Sequence, residues 1–351
     1  MKIFESEHLD SLYFQMVNAL INEGVEIEKK NKIFDDLGGK YIKELYSCVI
    51  RISKPQEGIL YIKGRAYNPA FAVAETLWNI TADTDCWLAN YNKLYLYYFD
   101  GKRDLNSGYG NRIFNWGAHL NQFELVVNRF KEESTTQHAD IIIFDPTFDL
   151  CNPLFVPCIT KIKFRIRNSK LYMITNMRAQ DVWRGFPYDI NLLLTIYQLM
   201  LNRLKKEIEF ADLEYGTYEH HCDVLRLYRR NYQEAQNLIR LNQGENLIKK
   251  NSSIIDLNGQ CDFESYKQYK DLIKSFSFLS IDELLEKKET VLEMLDNIPQ
   301  YWKNSISICF AYCLIKQNEY QEAIHVLSLV DNIYKNQFIE WCNYYMRVNL
   351  A

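Results

Sequence analysis

The chain has 351 residues, enough for one large domain with a small one or for two domains of moderate size. Its 41 Lys and Arg residues against 45 Asp and Glu residues give a formal charge of -4, which argues against a duplex-DNA partner because no basic field is present. Hydrophobic residues make up 48% of the chain and Gly and Pro are few, so the composition predicts an ordered protein with a sizeable core and excludes a disordered or fibrous one.

The sequence predicts a cytoplasmic protein without a membrane partner. No apolar run reaches the ~18–20 residues that span a bilayer, and the first residues lack the order of a signal peptide. Nine cysteines with irregular spacing fit a reducing compartment better than a disulfide framework. The motifs GxGxxG, GxxxxGK[ST] and HExxH and a doubled CxxC are absent, so we expect no nicotinamide and no metal ion.

Residues 67–228 predict alternating helices and strands. A helix begins with Asn68 as N-cap and Pro69 at the first helical position. Within it Phe71, Ala74 and Trp78 share one face. The Ile-rich run 139–144, which ends at Asp145-Pro146, is typical of a buried strand.

A β-hairpin and a long helix follow in the sequence. Residues 162–167 alternate between apolar and basic side chains, and Asn168-Ser169-Lys170 turns the chain into a second strand over 171–176. Residues 190–208 then carry apolar residues at helical spacing. The mixed order of strands and helices predicts the α+β class, with a mixed β-sheet covered by helices.

Strand signals fade beyond residue 233, so a boundary near residue 235 separates a domain of residues 1–235 from an all-α extension of residues 236–351. Spacing from Ala311 to Ile324 resembles one helical hairpin of a tetratricopeptide array. Such arrays need several repeats, so packing on the main domain is favoured over an array. The extension is also a candidate surface for a protein partner.

Six elements occur in an order that resembles the thymidylate synthase superfamily, over about residues 60–230. They are Glu75 with Trp78, Tyr109-Gly110-Asn111-Arg112, Asp145-Pro146, Pro157-Cys158, Arg178-x-x-Asp181 and Gly185-x-Pro187-x-Asp189. The resemblance implies a thymidylate synthase-like fold, a homodimer, and one-carbon transfer to C5 of a pyrimidine nucleotide from 5,10-methylenetetrahydrofolate.

Catalytic roles follow from the resemblance. Cys158 would add as thiolate to C6 of the base and make C5 nucleophilic. Arg178 is the neighbour expected to favour the thiolate and to bind a phosphate. Glu75 would relay protons through water, and Tyr109 would assist removal of the C5 proton.

Two residues resemble the pterin-binding groups of the family. Trp78 would stack on the pterin, although core packing explains it nearly as well. Asp181 would accept a hydrogen bond from the pterin.

Asp189 carries the information on the base. Thymidylate synthases place Asn at the matching position, which suits the uracil edge. A carboxyl group instead accepts from an exocyclic amine and, when protonated, donates to a bare ring nitrogen, which is the cytosine edge. Asp189 therefore resembles the (deoxy)cytidylate hydroxymethylases, in which water completes the product, and we predict a hydroxymethyl product.

Several family residues are replaced on the phosphate and sugar side. Gln137 and His138 stand where the family has an arginine pair that binds the 5′-phosphate. Arg65, Arg112 and Arg226 are alternative cations that the sequence does not rank. Of the family's His-x-Tyr sugar contact, Tyr228 remains and Arg226 replaces the histidine.

Two alternatives stay open. A uridylate or deoxyuridylate 5-methyltransferase would keep Cys158 and would require Asp189 to tolerate uracil. A non-catalytic relative would bind a nucleotide or a protein partner, and the lost arginine pair favours it. The sequence does not distinguish ribose from deoxyribose.

Overall fold

The computed structural model describes residues 1–29, 40–57, 60–97, 108–151, 156–244 and 262–348. The chain divides into two compact units. The sheet unit comprises Met1–Arg65 and Asn115–Ile254, and the helical unit comprises Ala66–Phe114 and Ile255–Ala351. This division differs from the boundary at residue 235, because residues 66–114 group with the C-terminal helices rather than with the strands that flank them in sequence.

The sheet unit contains one mixed sheet of eight strands. Their order is β1-β3-β8-β6-β5-β4, with β2 paired to β3 and β7 paired to β8. The strands are β1 (Lys2–Ser6), β2 (Val25–Glu28), β3 (Tyr41–Ile52), β4 (Asp140–Ile142), β5 (Ile159–Arg167), β6 (Lys170–Met177), β7 (Gln180–Asp181) and β8 (Glu214–Tyr228). Strand β8 is central, since it pairs antiparallel with β3 and parallel with β6 and β7.

Helices occur in both units. They are α1 (Leu9–Glu23), α2 (Pro69–Ile80), α3 (Tyr109–Phe114), α4 (Gln122–Glu132), α5 (Pro146–Asp149), α6 (Phe186–Lys205), α7 (Tyr232–Asn242), α8 (Phe263–Phe276), α9 (Ile281–Leu295), α10 (Gln300–Lys316), α11 (Tyr320–Leu327) and α12 (Asn332–Trp341). The α+β class with a C-terminal helical region is thus confirmed. Within the described ranges, no helix is long and apolar enough to cross a membrane.

The predicted hairpin is confirmed. Strands β5 and β6 pair antiparallel and close on Arg167 opposite Lys170. The two residues between them, Asn168 and Ser169, have φ of 50° and 54°. Positive φ at both central positions is the geometry that matches the twist of a two-residue hairpin. The turn fixes the register, and it therefore fixes which residues of β5 and β6 reach the opposite end of the hairpin.

The long helix α6 covers the sheet unit. It begins at Phe186, four residues before the predicted start, because Pro187 occupies the first turn, where its missing N–H has no helical partner. Fourteen of its twenty residues are buried, so burial of apolar side chains stabilises it. The early start places Asp189 in the first turn of the helix instead of in the preceding loop.

Two adjacent histidines, His220 and His221, lie on strand β8 of the sheet. His220 is fully buried, and its Nδ1 lies 3.0 Å from the hydroxyl of Tyr218. Burial lowers the pKa of His220 to about 3, so the ring stays neutral. His221 Nε2 instead lies 2.8 Å from Glu219 on the same strand. Both histidines thus contact side chains of their own strand.

The helical unit packs around helix α2. The Asn68 side chain accepts from the backbone N–H of Phe71 at 3.1 Å, as the N-cap prediction requires. It also donates to the carbonyl of Tyr91 at 3.2 Å. Helices α8, α10 and α12 contact α2, and Cys309 of α10 donates to the carbonyl of Ala70. The predicted hairpin of the C-terminal region is formed by α10 and α11.

Replacing Asn68 by Ala should lower the free energy of unfolding by about 1–2 kcal/mol, because the cap and a buried hydrogen bond are both lost. Urea unfolding would measure the change. Asn121→Ala is the matched control, since Asn121 caps α4 through one bond to Glu124, and about 1 kcal/mol is expected there. Asn68→Asp should retain the cap bond and lose the bond to Tyr91. An unchanged unfolding curve for Asn68→Ala would refute the role given to this residue.

Candidate active site

The nucleophile candidate Cys158 directly precedes β5, and Arg178 directly follows β6. Hydrogen bonds from Arg178 link the end of β6 to the residues that precede β5. Its backbone N–H donates to the Cys158 carbonyl at 3.0 Å. Its guanidinium donates from Nε to the Pro157 carbonyl at 3.0 Å and from Nη2 to the Val156 carbonyl at 2.9 Å. The guanidinium thus fixes the loop that positions the thiol.

The Cys158 thiol is protonated more readily than an ordinary cysteine. Burial raises its pKa above the usual value of 9.0, and the nearby Asp189 and Asp181 carboxyls add to this. The positive charges of Arg178 and Arg226 oppose the shift. Arg178 acts in the expected direction, but the net effect differs from the lowered pKa expected from the sequence, because burial outweighs both cations.

Asp189 is linked to the motif that follows β6. Its backbone N–H donates to the Gly185 carbonyl at 3.0 Å, and its Oδ2 accepts from Gln180 Nε2 at 2.9 Å. Gly185 leaves room for this contact, since a Cβ there would lie 3.0 Å from both Asp189 Oδ2 and Gln180 Nε2. Oδ2 is therefore held as an acceptor.

The Asp189 carboxyl is protonated more readily than an ordinary aspartate, although its ionised form predominates at physiological pH. Burial raises its pKa to about 6, although the Gln180 hydrogen bond opposes the shift and Asp181 adds to it. A neutral carboxyl has one donor and one acceptor oxygen. With Oδ2 accepting from Gln180, the proton belongs on Oδ1.

Asp181 and Arg226 are neighbours in the β7–β8 pairing. Asp181 Oδ1 accepts from the backbone N–H groups of Trp183 at 2.9 Å and Arg184 at 3.0 Å. Tyr228 lies two residues beyond Arg226 and is 6% exposed. Its pKa is raised by burial and by Asp181, and it also responds to the charge of Cys158. The sheet unit thus brings together Cys158 with the four residues Arg178, Asp181, Asp189 and Arg226, and with Tyr228.

Three predicted site residues lie in the helical unit. Glu75 is on α2, and its carboxylate accepts a hydrogen bond from the hydroxyl of Tyr95. Trp78 is 4% exposed and donates from Nε1 to the Asp85 carbonyl at 3.0 Å. Tyr109 begins α3, where the backbone N–H of the next residue, Gly110, donates to the Asn79 side chain at 3.0 Å.

The structure ranks the three alternative cations. Arg65 is 3% exposed, and its guanidinium donates to Tyr13 and to the Trp183 carbonyl. Arg112 is buried in α3 of the helical unit. Arg226 is in the sheet unit with Cys158, and its charge lowers the thiol pKa against the effect of burial. Of the three alternatives, Arg226 is the one whose charge acts on Cys158.

Sequence reasoning missed Gln180 and Tyr95. Gln180 lies inside the Arg178-x-x-Asp181 motif at a position without a fixed residue, so nothing in the pattern indicates its contact with Asp189. Tyr95 lies in an aromatic-rich turn (Lys93–Tyr97) whose folding back onto α2 depends on tertiary contacts. Neither contact leaves a local signal in the sequence.

The residues present fit a folate. With Asp181 Oδ1 held by two backbone N–H groups, its second oxygen can accept from the N–H groups of a pterin. The thiol of Cys158 and this carboxylate act on each other electrostatically, so a pterin held by Asp181 would lie near a base bound at Cys158.

Comparison with known proteins identifies the class. The thymidylate synthase family model matches residues 11–274, which extends the range of about 60–230 inferred from motifs. The chain belongs to the thymidylate synthase family, and the family supports a one-carbon transferase.

Similar proteins include enzymes of two kinds. A deoxyuridylate hydroxymethyltransferase of Bacillus phage SP01 is 28% identical over 245 residues, which cover 66% of this chain and 60% of the phage protein. A putative thymidylate synthase of Methanosarcina mazei is 22% identical over 227 residues, which cover 64% of this chain and 93% of the archaeal protein. A thymidylate synthase of Staphylococcus haemolyticus is 24% identical over 162 residues, which cover 44% of this chain and 48% of the staphylococcal protein.

Arg226→Gln should slow alkylation of Cys158 by iodoacetamide by about 2- to 10-fold near about pH 8, because loss of a cation raises the thiol pKa further. Alkylation of the wild type should rise with pH up to and beyond about 9. Site-resolved mass spectrometry would follow each thiol, with exposed Cys86 as internal reference. Arg229→Gln is the matched control, since Arg229 is exposed on the same segment. Faster alkylation in Arg226→Gln would contradict the assigned electrostatics.

Asp189→Asn should stabilise the protein increasingly as pH rises. The folded-state pKa of Asp189 is raised to about 6, so its contribution to stability is complete below the unfolded value and is lost as pH rises through about 6. Because the residue is only partly buried, we expect the difference between variant and wild type to grow by about 2 kcal/mol from about pH 4 to about pH 8. Denaturant unfolding at both pH values would measure it. Exposed Asp223→Asn should change by less than about 0.5 kcal/mol, and a constant difference for Asp189→Asn would refute the raised pKa.

Proposed function

We propose that the protein is a pyrimidine-nucleotide C5 hydroxymethyltransferase that acts on CMP or dCMP and uses 5,10-methylenetetrahydrofolate. The proposal is supported by one observation: the Cys158 thiol is coupled electrostatically to Asp189, a partly buried carboxyl whose pKa is raised to about 6. A nucleophile and a base-reading carboxyl in one site fit C5 chemistry on a cytosine. We further propose a cytoplasmic homodimer with residues 1–235 as the catalytic part and residues 236–351 as a helical extension.

The Asp189 carboxyl explains the preference for cytosine. Oδ2, held as an acceptor by Gln180, would receive a hydrogen bond from the exocyclic amine. The carboxyl would take up a proton on binding, which its pKa of about 6 favours, and the protonated Oδ1 would donate to the unprotonated ring nitrogen. Both contacts are satisfied by the neutral carboxyl, whereas an ionised one would face the ring nitrogen's lone pair.

Cys158 supplies the nucleophile. Its thiol has a raised pKa, so in this proposal the proton passes to a water molecule as the sulfur adds to C6 of the bound base. Arg178 stabilises the developing thiolate, and Arg226 adds to this where no anion offsets its charge. Addition at C6 places the electron pair of the C5–C6 double bond at C5, which becomes the nucleophilic carbon.

The remaining roles follow the family resemblance. Methylenetetrahydrofolate, when bound, supplies the one-carbon unit. Asp181 would hold the pterin, and Trp78 would border it. Tyr109 would assist removal of the C5 proton, and Glu75 would orient the water that adds to complete the hydroxymethyl group. The hydrogen bond from Tyr95 holds the Glu75 carboxylate in one orientation.

A second candidate is hydroxymethylation of deoxyuridylate. It is favoured by the name of the phage relative at 28% identity. A neutral Asp189 could donate from Oδ1 to O4 of uracil and accept at Oδ2 from N3–H, so the carboxyl does not forbid this base. Methylation of uridylate would share the same nucleophile and would differ in the step that follows one-carbon transfer.

Tritium release from 5-tritiated CMP, dCMP, UMP and dUMP, with and without methylenetetrahydrofolate, tests the proposal. We expect folate-dependent release from a cytosine nucleotide and a hydroxymethyl product by mass spectrometry. Cys158→Ala should reduce release by at least about 1000-fold. Asp189→Asn should shift the preference from cytosine toward uracil by about 10- to 100-fold, because the amide presents the opposite hydrogen-bonding pattern.

Cys86→Ala is the matched control for the nucleophile, since Cys86 is an exposed thiol in the helical unit. It should leave release unchanged. Release from a uracil nucleotide alone would replace the cytosine proposal with the second candidate. Absence of release from all four nucleotides would contradict the proposed reaction class.

A further inference from the structure

Three cations surround the ring of Tyr228 and form what we call the cation cluster: Lys29, Arg226 and Arg230. Lys29 Nζ lies 5.6 Å from the ring centroid, Arg226 Cζ 5.4 Å and Arg230 Cζ 5.0 Å. Lys29 follows β2, Arg226 is near the end of β8, and Arg230 is in the turn after β8. The sheet therefore collects three positive charges from separate segments.

The cluster is partly withdrawn from water. Burial is the main cause that lowers the pKa of Lys29, and the positive charges of Arg226 and Arg178 add to it. Burial also lowers the pKa of Arg230, and Arg184 adds to that effect. Within the cluster, Arg226 thus disfavours the charge of Lys29, an effect that a bound anion would reverse.

Arg226 has unused hydrogen-bonding capacity at this place. Its Nε is buried and has no hydrogen-bond partner in the described part of the chain. Asp181, its neighbour across the β7–β8 pairing, commits Oδ1 to two backbone N–H groups. Glu44 is a second carboxylate here, since it pairs with Arg226 across β3 and β8 and opposes the shift in the pKa of Lys29. Two carboxylates beside the three cations of the cluster leave an excess of positive charge next to an open donor.

The cluster borders the thiol site. Arg226 acts on the pKa of Cys158, and Tyr228 responds to the charges of Cys158, Arg226 and Arg230. An anion bound by the cluster would therefore belong to the molecule that Cys158 attacks. Meanwhile Gln137 and His138, which replace the family's phosphate-binding pair, are exposed and precede β4.

We propose that the cation cluster binds the phosphate monoester carried by the sugar of the substrate, in place of the family's arginine pair. This inference rests on the proposed function, since it assumes a nucleotide at Cys158. The bidentate guanidinium of Arg226 would form the direct contact, with Lys29 and Arg230 adding charge. A phosphate on either the 5′ or the 3′ oxygen has the required chemistry.

Isothermal titration of cytidine, 5′-CMP and 3′-CMP into the full-length protein tests the inference without turnover. We expect one monophosphate to bind at least about 10-fold more tightly than cytidine. Arg226→Gln should remove about 10- to 100-fold of that preference, and Lys29→Gln should remove a smaller part. Cytidine itself should bind the variants as it binds the wild type. The choice between the two monophosphates identifies the oxygen that carries the phosphate.

Arg229→Gln is the matched control, because Arg229 is exposed and lies on the same segment as Arg226. Its guanidinium lies near Glu26 of β2. Arg229→Gln should retain the preference for the monophosphate. The melting temperatures of all variants should stay within a few degrees of that of the wild type. A preference retained in both Arg226→Gln and Lys29→Gln would overturn the inference and leave the reaction class standing.

A parallel measurement separates failure of the inference from failure of the proposed function. Inorganic phosphate should raise the melting temperature of the wild type above chloride at equal ionic strength, and it should do so less in Arg226→Gln. If no nucleotide or nucleoside binds but this effect remains, the cluster is an anion site and the proposed function is wrong. If phosphate has no effect and nothing binds, both are wrong.

Discussion

The hydrogen bonding of strand β8 is the constraint on which the candidate site depends. This strand pairs antiparallel with β3 and parallel with β6 and β7. The register places Arg226 beside Asp181 and Cys222 beside Met177, so the end of β6 and the end of β8 cannot shift independently. A slip of one residue would move every side chain of the strand to the other face. The site is thus positioned by backbone pairing before any side chain is considered.

Burial determines the chemistry that this geometry permits. It raises the pKa of both Cys158 and Asp189, and for both groups the protonated form is the neutral one. The free protein therefore presents an uncharged thiol near a carboxyl that is protonated more readily than usual. A protonated thiol avoids repulsion between a thiolate and a nearby carboxylate in a medium of low dielectric constant. The reactive ionic form then develops only when a substrate brings its own partners to the site.

The sequence predicted local structure well and long-range grouping poorly. The cap at Asn68 and the turn at Asn168 and Ser169 follow from the preferences of single residues for particular backbone angles, and both are present. The association of residues 66–114 with the C-terminal helices has no local signal, because it depends on which apolar faces meet. For the same reason the Gln180 to Asp189 hydrogen bond was not foreseen, although both residues lie within short motifs. The nucleophile candidate came from the order of motifs, while its raised pKa required the burial that only the fold supplies.

The same positive charges bear on binding and on the nucleophile. Arg226 opposes the burial that raises the pKa of Cys158, and its buried Nε has no hydrogen-bond partner among the residues that the structure describes. An anion bound at Arg226 would offset the lowering of the Cys158 pKa by this arginine. Arg178 donates from Nε and Nη2 to the loop before β5, so it would still lower that pKa. In the proposed mechanism, Arg178 would hold the loop and favour the thiolate, and Arg226 would contact the substrate. A site with a single arginine could not do both, since neutralising that arginine would raise the pKa of the nucleophile at the moment of attack.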